Sequence, residues 1–236
     1  MLSTSERKKL KFTKALLPSF SSDLKKYDEL YQQYCQFGYT KGLCDEFATV
    51  FVDDCKKPAT EDVILAASLY SKIFDYTNTE FYLDMLEEKK MGSDDRYSYC
   101  LEKLAILSKQ KNWRDAEDFR TENINFIQTH AQKKKTTQEQ ADMYIVLALV
   151  DCAAKKYAEA FKLLNFGYKP KGRNDVKLLQ ILVTAVYIYA CAGDEDGVAA
   201  AVENAKSCLK LFDHFEFDWS KEYYENLIQS ASEGII

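Results

Sequence analysis

The chain has 236 residues, 47% of them apolar, with 16 Tyr and 14 Phe, which excludes the aromatic-poor composition of disordered chains and is enough for a sizeable core. Its 8 Gly and 3 Pro are too few for the tight turns of a sandwich or barrel, so an all-α fold is expected. A formal net charge of −5 argues against nucleic acid as the main partner, because phosphate contact rests on a basic surface.

Residues 1–26 carry seven bases against two acids, and residues 213–236 six acids against Lys221. A solvated helix face accounts for each run; an anionic contact at the basic end, or head-to-tail association of copies, is the other reading. The stretch MLSTSERKKLKF has charge but no apolar run behind it, unlike a secretory signal. Ser3 and Glu6 have capping-box spacing and open a short basic helix that should end by Pro18. Residues 22–37 (Leu24, Tyr27, Leu30, Tyr31, Tyr34) and 42–56 (Leu43, Phe47, Val50, Phe51) have helical spacing, with a break from Gly38 to Gly42 and an end at Lys57-Pro58. Residues 1–58 are therefore read as N-terminal helices, a divergent hairpin or a cap.

Helical hairpins follow. ILAASLYSKIFDYTNTEFYLDML (64–86) bends near Tyr76, with Thr79 in a small-residue slot. Thr77 and Glu80 have capping-box spacing. In 97–108, Tyr97, Cys100, Leu101, Leu104, Ala105 and Leu107 recur at intervals of three and four, the stripe of a helix with one buried side. KNW then gives way to a second helical spacing through Ala116, Phe119, Ile124 and Ile127. The pattern returns in MYIVLALVDCAA and KKYAEAFKLL (143–164), with Tyr157 where Trp113 stood and Ala160 where Ala116 stood. A third copy, VYIYACAGDEDGVAAAV (186–202), places Gly193-Asp194 at the bend and Val198 in the slot. The slots 79, 116, 160 and 198 are 37, 44 and 38 residues apart, a spacing that signals stacked helical repeats. The polar breaks KKMGSDD (89–95), QKKKTTQEQ (132–140), with Thr137 and Gln140 as a capping box, and KPKGRN (169–174) separate the copies. Residues 59–212 are thus the repeat region. After the aromatic, acidic FDHFEFDW (212–219), residues 220–232 present Tyr223, Tyr224, Leu227, Ile228 and Ala231 on one side, so 213–236 is read as a C-terminal capping helix.

A bulky residue, two variable positions and a small one, followed by apolar spacing, resembles the tetratricopeptide repeat. The likeness covers roughly residues 60–212. In that family a small residue lies about twelve positions before the slot; Ala148 fits, while Leu104 and Val186 depart. The resemblance implies antiparallel helix hairpins stacked in a right-handed superhelix of about 11–12 helices, with first helices lining a concave binding surface and no catalysis. The family's carboxylate clamp uses Lys and Asn at two first-helix positions, which here are Leu101 and Ala105, Ile145 and Leu149, and Val183 and Tyr187. The clamp is missing and the surface is apolar, suited to an amphipathic helix or extended apolar segment unless part of this chain or a second copy fills it.

Single, scattered glycines offer no phosphate-binding loop. His130 is read as a solvated or dipole-facing residue at a helix end, and His214, among Phe212, Phe215 and Phe217, as packing. Asp53-Asp54, Asp94-Asp95 and Asp194 to Asp196 are read as helix starts, where carboxylates complement the N-terminal dipole. Lys133 to Lys135 read as a solvated loop, and the many tyrosines as half-buried spacers between helices. The seven cysteines are odd in number and widely spaced, so neither a disulfide framework nor a zinc site is expected; they read as small core residues in a reducing compartment. LLQILVTAVYIYACA (178–192) is too short for a membrane span and suits a buried helix. The expectation is a cytoplasmic, non-enzymatic module without cofactor or metal. It binds a protein or peptide and not a membrane, and self-association is compatible with it. A ligand- or peptide-sensing regulatory domain is the alternative.

Overall fold

The computed structural model describes residues 24–86, 91–133, 137–165, 175–212 and 219–236. Among them the regular structure is helical throughout: α1 Leu24–Phe37, α2 Lys41–Ala48, a π-turn Thr49–Asp53, α3 Thr60–Lys72, α4 Tyr76–Asp84, α5 Ser93–Lys109, α6 Trp113–Lys133, α7 Thr137–Ala153, α8 Tyr157–Leu164, α9 Val176–Ala192, α10 Glu195–Lys210 and α11 Trp219–Ser232. The all-α expectation holds, with eleven α-helices among the described residues. The basic helix before Pro18 with its Ser3–Glu6 cap, Lys134, Lys135 and His214 lie outside those residues. The chain divides into two compact units, Met1–Tyr99 and Cys100–Ile236, the division falling within α5.

In the first unit α1 stops at Gly38, whose φ of 71° suits a residue without Cβ. The Thr40 hydroxyl then accepts the Leu43 N–H at 3.2 Å and opens α2. The sequence predicts one helix across 42–56; instead α2 widens into the π-turn, where the Asp54 N–H reaches back to the Thr49 carbonyl at 2.9 Å. The adjacent Phe51 and Val52 are both buried there. Helix α3 packs against α2, the π-turn and α4, which is why its run from Val63 to Ala67 is buried without interruption. Two expectations are corrected. Asp53 and Asp54 close the π-turn and do not start a helix, and α4 is capped by Asp75, whose Oδ1 accepts the Asn78 N–H at 3.2 Å, so Thr77 lies inside the helix.

Four elbows share one backbone solution. Phe74, Lys111, Lys155 and Gly193 have φ of 61°, 60°, 60° and 70°. The N–H of each bonds to the carbonyl three residues back. The next N–H reaches five back, to Tyr70, Leu107, Asp151 and Tyr189 at 3.0, 2.9, 2.8 and 3.1 Å, the paired bonds that satisfy a helix's last carbonyls. The residue that donates this second bond also starts the following helix. The carbonyls of Asp75, Asn112, Lys156 and Asp194 accept the N–H of Thr79, Ala116, Ala160 and Val198 at 3.1, 3.1, 3.0 and 2.9 Å. Only one of the four left-handed positions is Gly, although a Cβ there costs roughly 1–2 kcal/mol.

The slot residues Thr79, Ala116 and Ala160 are fully buried, whereas Val198 is half-buried. In that hairpin the close approach is made one residue earlier, at Gly197, where an added Cβ would lie 2.3 Å from the Tyr189 ring. Twelve positions before the slots, Leu104, Ala148 and Val186 are all fully buried, so the departures at 104 and 186 are accommodated in the core.

Helix α9 is the centre of the second unit. It packs against α7, α8, α10 and α11, and a helix covered from so many directions must be apolar nearly all round. Leu179, Val183, Val186, Tyr187 and Ile188 are buried on it, each such side chain contributing about 1.5–3 kcal/mol. The Asp175 carboxylate caps its start, accepting the Lys177 and Leu178 N–H groups at 2.9 and 3.3 Å. Helix α11 adds Ile228 and Ala231 to the same core. His130 corrects the sequence reading: it lies in the last turn of α6 but is buried, its ring 5.7 Å from that of Phe126. No helix among the described residues is long and apolar enough to cross a membrane.

Candidate functional site

The six first-helix residues fall at equivalent places, ten and six positions before the left-handed residue of each elbow: Leu101 and Ala105 on α5, Ile145 and Leu149 on α7, Val183 and Tyr187 on α9. Leu101 and Ile145 are half-buried and the other four are buried. Leu149, Val183 and Tyr187 belong to one core with Ile228 and Ala231, and Ile145 packs against it. Ala105, Leu149, Val183 and Tyr187 are therefore not open to solvent, and residues of α11 share the core with the last three. On α9 the reason is that four helices already cover it. Of the six, solvent still reaches Leu101 and Ile145.

Polar side chains tie the helices together in ways no local pattern signals. In the first unit the Tyr70 hydroxyl donates to Asp45 Oδ1 at 2.7 Å and the Tyr82 hydroxyl to Asp53 Oδ2 at 3.1 Å. Their rings stack, centroids 5.6 Å apart and 11° from parallel. Lys41 Nζ lies 5.6 Å from the Tyr70 centroid and 3.4 Å from both Asp45 and Asp75. Burial, then the carboxylate partner, raises both phenols, Tyr82 to about 12. Both are therefore hydrogen-bond donors at neutral pH. Burial also pushes the neighbouring Cys44 thiol up to about 12, which makes it a poor nucleophile. This cluster fastens α2 and the π-turn onto α3 and α4.

In the second unit Arg120 Nη1 meets the buried Asp151 at 2.6 Å, and Lys156 pairs with Glu117, fixing α6 against the elbow after α7. Lys177 pairs with Asp142 and bonds Gln180 Oε1 at 2.6 Å, joining α9 to α7. A buried carboxylate needs such a partner, since an unpaired charge there is costly.

The second unit also brings together two thiols. Cys152 near the end of α7 lies in the core of this unit, and Cys191 near the end of α9 packs against the same core. Cys152 is buried and Cys191 partly exposed. The neighbouring Cys152 thiol lowers the Cys191 thiol below its usual range, against the opposing effect of burial, and Tyr187 adds to the lowering. The reciprocal effect of Cys191, then burial, raises Cys152. The Tyr157 hydroxyl donates to the Cys191 carbonyl at 2.8 Å and fixes that end of α9. The two cysteines lie 39 positions apart in the chain, so their sequence context carries no sign that they meet.

Among the described residues no cluster of three or more His, Cys, Asp or Glu side chains could hold a metal ion. The chain matches no family model, no curated protein and no solved structure.

Proposed function

We propose that the chain is a non-enzymatic interaction module that binds a protein or peptide. In this reading its hairpins are tetratricopeptide-like repeats stacked in a right-handed superhelix. The observation that carries it is the elbow: four bends with one left-handed residue, one pair of closing bonds and one shared cap. Within the second unit α9 packs on both helices of the preceding hairpin, and α11 on both helices of the hairpin after that, the nearest-neighbour arrangement from which repeat proteins build extended surfaces.

The partner class is an apolar segment, helical or extended, that lies along α5 and α7 over Leu101 and Ile145. Single half-buried apolar residues are ordinary on protein surfaces; the two gain weight here from occupying the same register of successive hairpins. Partner capture on the immobilised full chain, repeated with Leu101→Glu/Ile145→Glu, tests the reading. Specific capture that the double variant loses at unchanged melting temperature supports it. Capture indifferent to the two substitutions, or turnover of a small molecule by the pure chain, overturns it.

A further inference from the structure

We propose that the outer face of α4 is a second docking surface, and that it takes a basic amphipathic helix of another protein. It belongs to the first unit, whereas Leu101 and Ile145 belong to the second, so binding at one place and binding at the other can fail separately.

Helix α4 buries Thr79, Tyr82 and Leu83 on the side that packs against α3. At about 100° per residue, Phe81 and Met85 project from the opposite side, one turn apart. They are 57% and 37% exposed. Of the eight large apolar side chains exposed among the described residues, three (Phe74, Phe81 and Met85) belong to this one hairpin, a concentration that isolated surface residues do not produce. A helix that is apolar on two sides ordinarily lies between two neighbours, and the side with Phe81 and Met85 is left to solvent.

The spacing selects the shape of the occupant. Two apolar side chains four residues apart form a ridge that packs against another helix. The described residues hold no strand with which an extended segment could pair.

Charge selects its sign. The Phe81 ring meets that of Tyr82 edge-on, centroids 5.1 Å apart, and the Tyr82 hydroxyl holds the exposed Asp53 at 3.1 Å, so one flank of the face is acidic. The exposed Asp84 and the half-buried Glu80 lie on the other flank by helical position. Residues 60–86 carry five acids against Lys72. Helix α4 also ends without a base in its last turn, which leaves the negative end of its dipole beside Asp84. A helix with Lys or Arg on either side of its apolar stripe therefore meets complementary charge on both flanks. A second copy fits badly: two-fold pairing of α4 with itself would set Glu80 and Asp84 against the same two acids.

The probe is a labelled synthetic peptide of about 18 residues, Leu and Lys at helical spacing, titrated into the full chain by fluorescence anisotropy, with the same peptide carrying Glu for Lys as control. The Lys peptide should bind and the Glu peptide should not. Phe81→Ser/Met85→Ser should weaken binding roughly tenfold. Asp84→Lys should weaken it roughly threefold and reduce its salt dependence. All three positions are exposed, so the variants should melt with the native chain. Absence of binding, binding equal for the two peptides, or binding indifferent to Phe81→Ser/Met85→Ser overturns the proposal. So does binding that appears only after deletion of residues 1–17, which would make the chain's own basic segment the occupant. A native chain that sediments as a dimer, with a monomeric Phe81→Ser/Met85→Ser variant, would give the face to a second copy and overturn it equally.

Discussion

The elbow at Lys155 and the elbow at Gly193 make the same bonds with different side chains. Each has a left-handed residue, each closes with a long bond to the fifth carbonyl back, and each hands its next residue to the following helix. Yet the first puts a lysine where a Cβ is strained and the second a glycine. Ala160 in the first is sealed, while in the second the tight approach has moved to Gly197, beneath Tyr189. Hydrogen-bond closure and packing of the second helix thus define the bend, and glycine only lowers its cost. The side chain that enforces close packing can move by one residue without altering the backbone.

Substitutions at matched positions should separate these contributions, read as changes in unfolding free energy by denaturant titration. The largest effect is expected from Ala160→Leu, a loss of about 3 kcal/mol from forcing a branched side chain into a sealed slot. Val198→Leu, at the half-buried equivalent, should change stability by less than about 0.5 kcal/mol. Equal losses would show that the two slots are packed alike.

Gly197→Val should follow, costing about 2 kcal/mol as the Tyr189 ring is driven from its place 4.3 Å from Phe161. The matched Glu159→Val on exposed surface should be close to neutral. Smaller again is the exchange at the left-handed residue. Gly193→Ala should cost about 1 kcal/mol, and Lys155→Gly should gain somewhat less than about 1 kcal/mol, because relief of strain is partly offset by a freer unfolded chain. Loss of stability in Lys155→Gly would mean that its side chain contributes contacts the bend depends on.

The smallest effect concerns charge. Burial alone would raise Asp75, but the Asn78 amide and backbone N–H and the Lys41 ammonium more than offset it and hold the carboxyl below its usual value. A carboxyl depressed on folding stabilises above its unfolded pKa and ceases to as pH falls through the folded one. The stability gap between the native chain and Asp75→Asn should therefore shrink from about pH 5 to about pH 2.

The elbows were legible in the sequence because Thr79, Ala116 and Ala160 are small for a steric reason, and small residues after a polar bend can be seen in one dimension. The left-handed residues were not, since Phe74, Lys111 and Lys155 have no propensity for that conformation and adopt it because the bonds around them close. The burial of α9 was visible in its nearly unbroken apolar run. The π-turn was hidden because Thr49 to Asp53 keeps an ordinary helical pattern, and the Asp75 cap of α4 because the capping-box spacing of Thr77 and Glu80 points two residues further on. First-helix positions 101, 145 and 183 lie at equal offsets from their elbows, but burial at 149, 183 and 187 depends on which helices lie across them, and spacing cannot tell a groove wall from a core. The Cys152–Cys191 pair and the Tyr70–Asp45 and Tyr82–Asp53 bonds join residues far apart in the chain, beyond any local signal.

Because Asp75, Asn112, Lys156 and Asp194 each finish one helix and begin another, a single extra amino acid at those points would leave two helix termini open at once. Changes in chain length are therefore expelled from the elbows to the second helices and the stretches between hairpins: the longest spacing, 44 residues against 37 and 38, coincides with the 21-residue α6, where α4 and α8 have 9 and 8 residues. The unit that such a chain can gain or lose without unravelling its neighbours is a whole hairpin, cut in those stretches and never at the bend.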